Sequence, residues 1–222
     1  MHRMNTMCPI NINGLRHAAI LTLAIGLAQP AFAQQSTTPD SKSDGATMSA
    51  DASQTVVSGE GASLEATFEY AASARALHVR YRLHNESKTP LMVFDRGNRH
   101  AVMTKQLVQG EIAAPLFAVE GDDVTLSHLA LPLPQPAPTV PPTPLAARVE
   151  SSASLTGEFE FALPVENAPK RLRWCLGVAP FSSTDFQAIE GESVWTASFA
   201  VAESQQVLCT SWFDVTSASF EK

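Results

Sequence analysis

The most chemically loaded stretch of the chain is an alternating run, His78, Arg80, Arg82 and His84, with Leu77, Val79, Tyr81 and Leu83 between and before them. Successive side chains of a strand point to opposite sides, so the four polar residues fall on one face. In a chain of net charge −7 that strip would be locally positive, fit to receive an anionic ligand or an acidic partner. Neutralisation across a hairpin is the plainer alternative. With Leu64–Tyr70 as the neighbouring strand, Glu69 falls opposite His78, Thr67 opposite Arg80 and Glu65 opposite Arg82. Opposite charges facing each other across a ladder are a common stabilising device.

A second set could hold a metal. His100 and Met103, helped by His78, His84, Met92 or His128, combine imidazole and thioether, a donor set suited to copper. Spacing weakens it. If His100–Val108 is a strand, His100 and Met103 face opposite ways, and Arg80 and Arg82 stand between His78 and His84 and repel a cation. His100 and Met103 are therefore weak metal candidates, and no metal or other cofactor is expected. Two carboxylate pairs, Asp122-Asp123 and Glu158/Glu160, could do acid–base work, but solvated surface charge accounts for both. There is no G-x-S-x-G elbow, H-E-x-x-H pair, G-x-G-x-x-G turn or Walker loop. The chain is expected not to be an enzyme, and no catalytic residue is assigned.

The ends say where such residues would work. Arg3, Arg16 and His17 precede an apolar run from Ala18 to Ala28, followed by Pro30 and Ala31-Phe32-Ala33. Charge, short apolar core, helix breaker and small-x-small is the order of a secretory signal. The run is too short for a bilayer, which takes roughly 20 residues as a helix. Residues 1–33 are expected to be a signal peptide cleaved after Ala33, leaving a periplasmic or secreted protein with no transmembrane segment. Processing removes Arg3, Arg16 and no acid, leaving 13 basic against 22 acidic side chains, net −9. Such a chain is a poor ligand for nucleic acid or anionic lipid. Cys8 leaves with the signal, so Cys175 and Cys209 remain and are expected to pair.

Residues 34–54 are rich in Ser, Thr, Asp, Ala and Gln and are expected to be a disordered linker, because they bury too little to offset ordering. From residue 55 to 222 the period is two. Strands are expected at Leu64–Tyr70, Leu77–His84, Leu91–Phe94, His100–Val108, Pro115–Glu120 and Val124–Leu131, with Gly121-Asp122 as a hairpin turn. Further runs follow around Phe159–Leu163, Leu172–Val178, Trp195–Val201 and Val207–Val215. Pro132–Pro144 holds seven prolines in thirteen residues, which suits an extended crossover between sheets better than a paired strand. Pro138 and Pro141 have PxxP spacing, and Asn85-Glu86-Ser87 is a sequon whose place at a strand end fits a turn. Cys175 is out of phase with Leu172, Trp174 and Leu176. Either both faces are covered there or the bridge lies at a sheet edge.

The fold class expected is a mainly β, antiparallel, immunoglobulin-like β-sandwich with a Pro-rich crossover. The run Leu77-His78-Val79-Arg80-Tyr81-Arg82-Leu83-His84-Asn85-Glu86-Ser87-Lys88-Thr89-Pro90-Leu91 resembles the strand, Asn turn, Pro, strand unit of bacterial immunoglobulin-like domains. Among these is the intracellular proteinase inhibitor family of bacilli. The resemblance covers under a tenth of the chain and brings no inhibitory residues with it. A non-enzymatic exported binding or assembly module is the leading expectation, its partner another envelope protein or peptide. A periplasmic copper carrier and a proteinase-inhibitor-like domain are the alternatives.

Overall fold

In the computed structural model, which describes residues 52–191 and 193–222, Leu64, Ala66 and Phe68 point inward as their alternation demands. The strands run β1 (Gln54–Gly59), β2 (Ala62–Ala71), β3 (Ala76–Asn85), β4 (Leu91–Val93), β5 (Leu116–Glu120), β6 (Asp123–His128) and β7 (Leu145–Val149). They continue with β8 (Ser154–Ala162), β9 (Arg171–Pro180), β10 (Phe186–Ala188), β11 (Val194–Ala197), β12 (Gln206–Cys209), β13 (Phe213–Asp214) and β14 (Ser219–Phe220). Two short helices are α1 (Arg99–Met103) and α2 (Val201–Ser204). The described chain is thus mainly β, and no helix in it is long and apolar enough to cross a membrane.

The first sheet is antiparallel, in the order β1-β2-β3-β8. The register between β2 and β3 is the expected one: Glu69 opposite His78, Thr67 opposite Arg80, Glu65 opposite Arg82. A slip of one residue would turn Leu64, Phe68, Val79 and Leu83 out to water, which is why the alternation fixes it. The second sheet is built around β9. One side of β9 pairs with β6 and then β4, the other with β13 and then β12. The β6–β9 pair is parallel, an exception to the otherwise antiparallel pairing. From β4 the sheet continues through β7 and β11 to β10.

Leu64, Phe68, Val79 and Leu83 from the first sheet share one core with Leu126, Trp174, Leu176 and Phe213 from the second. Fully burying a side chain of this kind stabilises by about 1.5–3 kcal/mol. A smaller core lies elsewhere on the second sheet, where Met92, Ala146 and Ala179 pack against Phe94, Phe186 and Val201. β4 is therefore buried throughout, and β9 is buried from Trp174 to Ala179. Two covered faces explain the phase of Cys175. It is buried although its neighbours Trp174 and Leu176 occupy the main core. Cys175 is bonded to Cys209, directly opposite on β12, a strand whose only ladder partner among the described residues is β9.

Several boundaries differ from those expected. His100–Val108 is not a strand: the Asn98 side chain accepts from the Ala101 N–H at 2.9 Å and starts α1 instead. The strand expected from Val124 to Leu131 ends at His128, and the Val207–Val215 run is divided between β12 and β13. The Trp195–Val201 run breaks after Ala197, and Val201 opens α2. β1, β7, β10 and β14 lie outside the expected strands. β1 starts at Gln54, inside the expected linker, and the Ala52 and Ser53 carbonyls already accept from Phe220 and Phe68. The signal peptide, residues 1–33, and linker residues 34–51 lie outside the described residues. The Gly121-Asp122 hairpin forms as expected between Val119 and Val124, with Gly121 at φ +62°.

Candidate functional site

The His78–His84 strip lies on the outer face of the first sheet, and it is flanked by acids on both sides. Across β2, β3 and β8 the rows are Glu69–His78–Glu160, Thr67–Arg80–Glu158, Glu65–Arg82–Thr156 and Ser63–His84–Ser154. Four carboxylates surround two guanidiniums, so the patch is not positive. Arg80 is ion-paired with Glu69. His78 stands 3.9 Å from Glu69 and 3.8 Å from Glu158, and His84 Nδ1 lies 3.1 Å from both the Ala153 carbonyl and Ser154 Oγ. The expected Arg82–Glu65 pair is replaced, because Glu65 accepts from the Gln54 side chain on β1. Sequence reasoning saw β2 but not β8 or β1 as neighbours, and those two strands supply the difference.

His100 and Met103 do not diverge as strand residues would. They sit three apart on α1, on one side of a helical turn. The other donors are elsewhere: Met92 in the smaller core, His128 in the main sheet, His78 and His84 on the first sheet. Among the described residues no group of three or more His, Cys, Asp or Glu side chains could hold a metal ion. The paired carboxylates also separate in role. Asp123 is bound by Arg171, with Nε 2.9 Å from Oδ1, which holds its carboxyl below the usual range; Asp122 follows Gly121 in the hairpin turn. Asn85 of the sequon is buried. Its amide donates to the Thr89, Val149 and Glu150 carbonyls and its Oδ1 accepts from Ser87, so it fastens the turn between the sheets.

A polar cluster that the sequence did not announce sits inside the main core. His128 Nε2 is 2.7 Å from the Ala113 carbonyl, and the Trp174 indole N–H donates to His128 Nδ1 at 2.9 Å. A carbonyl only accepts and an indole N–H only donates, so the ring is neutral with its proton on Nε2. Burial, reinforced by Arg96, pushes its pKa down to about 4. Beside it the Tyr81 hydroxyl donates to Asp95, and burial raises both groups above their ordinary values. Arg96 Nε lies 3.2 Å from Asp95 Oδ1 without the alignment of a hydrogen bond, which leaves that oxygen without one. Tyr81 packs on Trp174 at 4.8 Å between ring centres. The signal was available for His128, which continues the inward phase of Val124 and Leu126. Asp95 opens Asp95-Arg96-Gly97-Asn98, which reads as a turn by composition.

His128 also contributes to the wall of a cleft of about 260 Å³. Ala101 and Leu107 enter from α1 and its following turn, Pro142 from the crossover, and Leu116 and Leu131 from either end of the β5–β6 hairpin. The lining is mostly apolar, and the polar His128 ring is already engaged through both nitrogens. Such a cleft can hold an apolar side chain of a partner.

β5 meets this cleft at Leu116. All five of its residues are exposed, including Leu116 at 45%, Phe117 at 46% and Val119 at 49%. Its only strand partner is β6, and no other backbone hydrogen bond reaches residues 116–120 among the described residues. The facing edge of the first sheet, β8, is treated differently. Ile112 lies where a side chain on Gly157 would project, and Phe117 covers Phe161 at 6.1 Å. A five-residue apolar edge strand with open backbone groups is a template for another strand. No family model, curated protein or solved structure matches the chain.

Proposed function

We propose that this chain is a non-enzymatic binding or assembly module of the bacterial envelope, periplasmic or secreted, built on an immunoglobulin-like β-sandwich. The observation that carries the reading is the exposed apolar edge of β5 beside the apolar cleft. Large exposed apolar side chains next to unpaired backbone favour association with an extended polypeptide, another envelope protein or peptide. The signal-like N-terminus and the Cys175–Cys209 bridge support the address. The reading does not use the His78–His84 strip, whose cations are flanked by four carboxylates.

The experiment places a photo-crosslinking residue at Leu131, on the cleft wall, in cells that export the chain. A discrete adduct that disappears on Leu116→Lys is the expected result. No adduct, or one indifferent to Leu116→Lys, sinks the reading. N-terminal sequencing of the same material tests the address, with Gln34 expected first and a product retaining Met1 counting against it. Copper titration of the purified chain separates the carrier alternative, which requires tight binding lost on His100→Ala.

A further inference from the structure

The geometry points to a second copy of this chain as the occupant of the β5 edge, joined antiparallel to its own β5 about a two-fold axis through Ala118. This deepens the reading of the cleft side as the binding side and rests on it.

The residues of β5 are self-complementary in that register. Phe117 of one copy falls opposite Val119 of the other, and the reverse pair forms by symmetry, two aromatic–β-branched contacts of the kind that stabilise a ladder. Phe117 and Val119 share the phase of Leu126 and Val124, their partners on β6, so they overhang from the core face. A two-fold axis perpendicular to the sheet keeps that face continuous across both copies. The second sheet would then extend through the junction with its apolar side still turned inward.

Charge gives the pairing its direction. The Leu116 end adjoins α1 and its turn, which carry Arg99, His100 and Lys105 and share the cleft with Leu116 through Ala101, Gln106 and Leu107. The opposite end carries Glu120, Asp122 and Glu166, the last two lining a hollow with Val119; Lys170, bonded through its backbone N–H to the Asp122 carbonyl, and Arg75, which donates to the Glu166 carbonyl at 2.8 Å, offset two of them and leave this end net acidic. Antiparallel pairing places the acidic end of each copy beside the basic end of the other. The two Glu120 residues then lie about 14 Å apart along the strands, beyond the screening length of roughly 8 Å in physiological salt. Parallel pairing would instead bring like ends together.

The test is sedimentation velocity on the full exported chain, bridge intact, over a wide concentration range. A concentration-dependent dimer is expected. The double variant Phe117→Lys/Val119→Lys should weaken it about a hundredfold, since like charges then face each other across the junction, and Phe117→Glu/Val119→Glu should do the same. Mixing the Lys variant with the Glu variant should restore a dimer containing one of each. Far-ultraviolet dichroism and an intact bridge confirm that the variants fold, as the exposure of both positions predicts. A wild-type chain monomeric throughout, a dimer indifferent to both variants, or a mixture that stays monomeric each overturns the inference. A monomeric chain that still gives the Leu116-dependent adduct at Leu131 leaves the binding reading standing, so the two fail separately.

Discussion

Acid should loosen this protein through a single imidazole. In the folded chain His128 holds its proton on Nε2 against the Ala113 carbonyl while Nδ1 receives the Trp174 N–H. A second proton on Nδ1 would point at another N–H inside the core. Burial lowers the pKa to about 4, and the indole donor pushes the same way. An unfolded chain takes up that proton near pH 6.5. Between about pH 6.5 and 4 the unfolded state therefore binds more protons than the folded one, and stability falls as pH falls. The gap corresponds to roughly 3 kcal/mol at about 1.4 kcal/mol per pH unit, a large part of the 5–15 kcal/mol typical of a domain. Asp95 works in the opposite sense, because its raised pKa penalises the ionised carboxylate and stability is regained as pH drops toward its unfolded value. The comparison with His128→Gln cancels that contribution, since glutamine can accept from Trp174 and donate to Ala113 without titrating. Urea unfolding of both chains from pH 7 to pH 4, bridge intact, should show the wild type losing roughly 3 kcal/mol relative to the variant. Parallel profiles, or a His128 ring resonance that titrates near pH 6.5, would refute the reasoning.

Gly157→Ala should destabilise by about 2–4 kcal/mol, although alanine is usually the better residue in a strand, because overpacking and a disturbed hydrogen bond add. Its new methyl would meet Tyr81, already fixed by Asp95 and Trp174, and Ile112; a melting temperature at or above wild type would contradict this. Arg80→Ala and Arg82→Ala should each change stability by no more than about 1 kcal/mol, since exposed pairs contribute little; a thermal melt showing a larger loss would mean the strip carries more than its geometry suggests. Cys209→Ser should cost roughly 3–4 kcal/mol by the loop-closure account for the 34-residue separation, measured in denaturant against wild type with the bridge intact, and equal midpoints would reject that account.

The β2–β3 pair of the first sheet was legible because its strands are half exposed. Leu64–Tyr70 and Leu77–His84 alternate cleanly, and the charges of Glu65, Glu69, Arg80 and Arg82 disclosed the register. The second sheet was harder for the opposite reason. β7, Leu-Ala-Ala-Arg-Val, is buried at four of five positions and shows no alternation, and in β9 the second core erases the pattern around Cys175. Neither burial on two faces nor the parallel contact between β6 and β9 leaves a local periodic trace. α1 was taken for strand because five residues are too few for a 3.6-residue stripe, and only Asn98 marked its start. As for the candidate site, the cleft joins α1, the crossover and the β5–β6 hairpin, segments that sequence order does not bring together. The β5 strand itself was legible; its lack of a second neighbour was not.

The central place of β9 has a kinetic side. β9 pairs with β4, β6, β12 and β13, and its partners on the N-terminal side precede it by about 50 to 90 residues. During synthesis the chain grows toward β9, so β4 and the β5–β6 hairpin are made well before the strand that will cover them. Contacts of such sequence separation are slow to form, and unpaired apolar strands are prone to stick in the interval. A chain ending before Arg171 would keep the β2–β3 hairpin and lose Trp174, Leu176 and Phe213, the half of the core on which that hairpin rests. Such a fragment should accumulate as aggregate rather than as a smaller folded protein, which makes the last fifty residues the step that commits the rest.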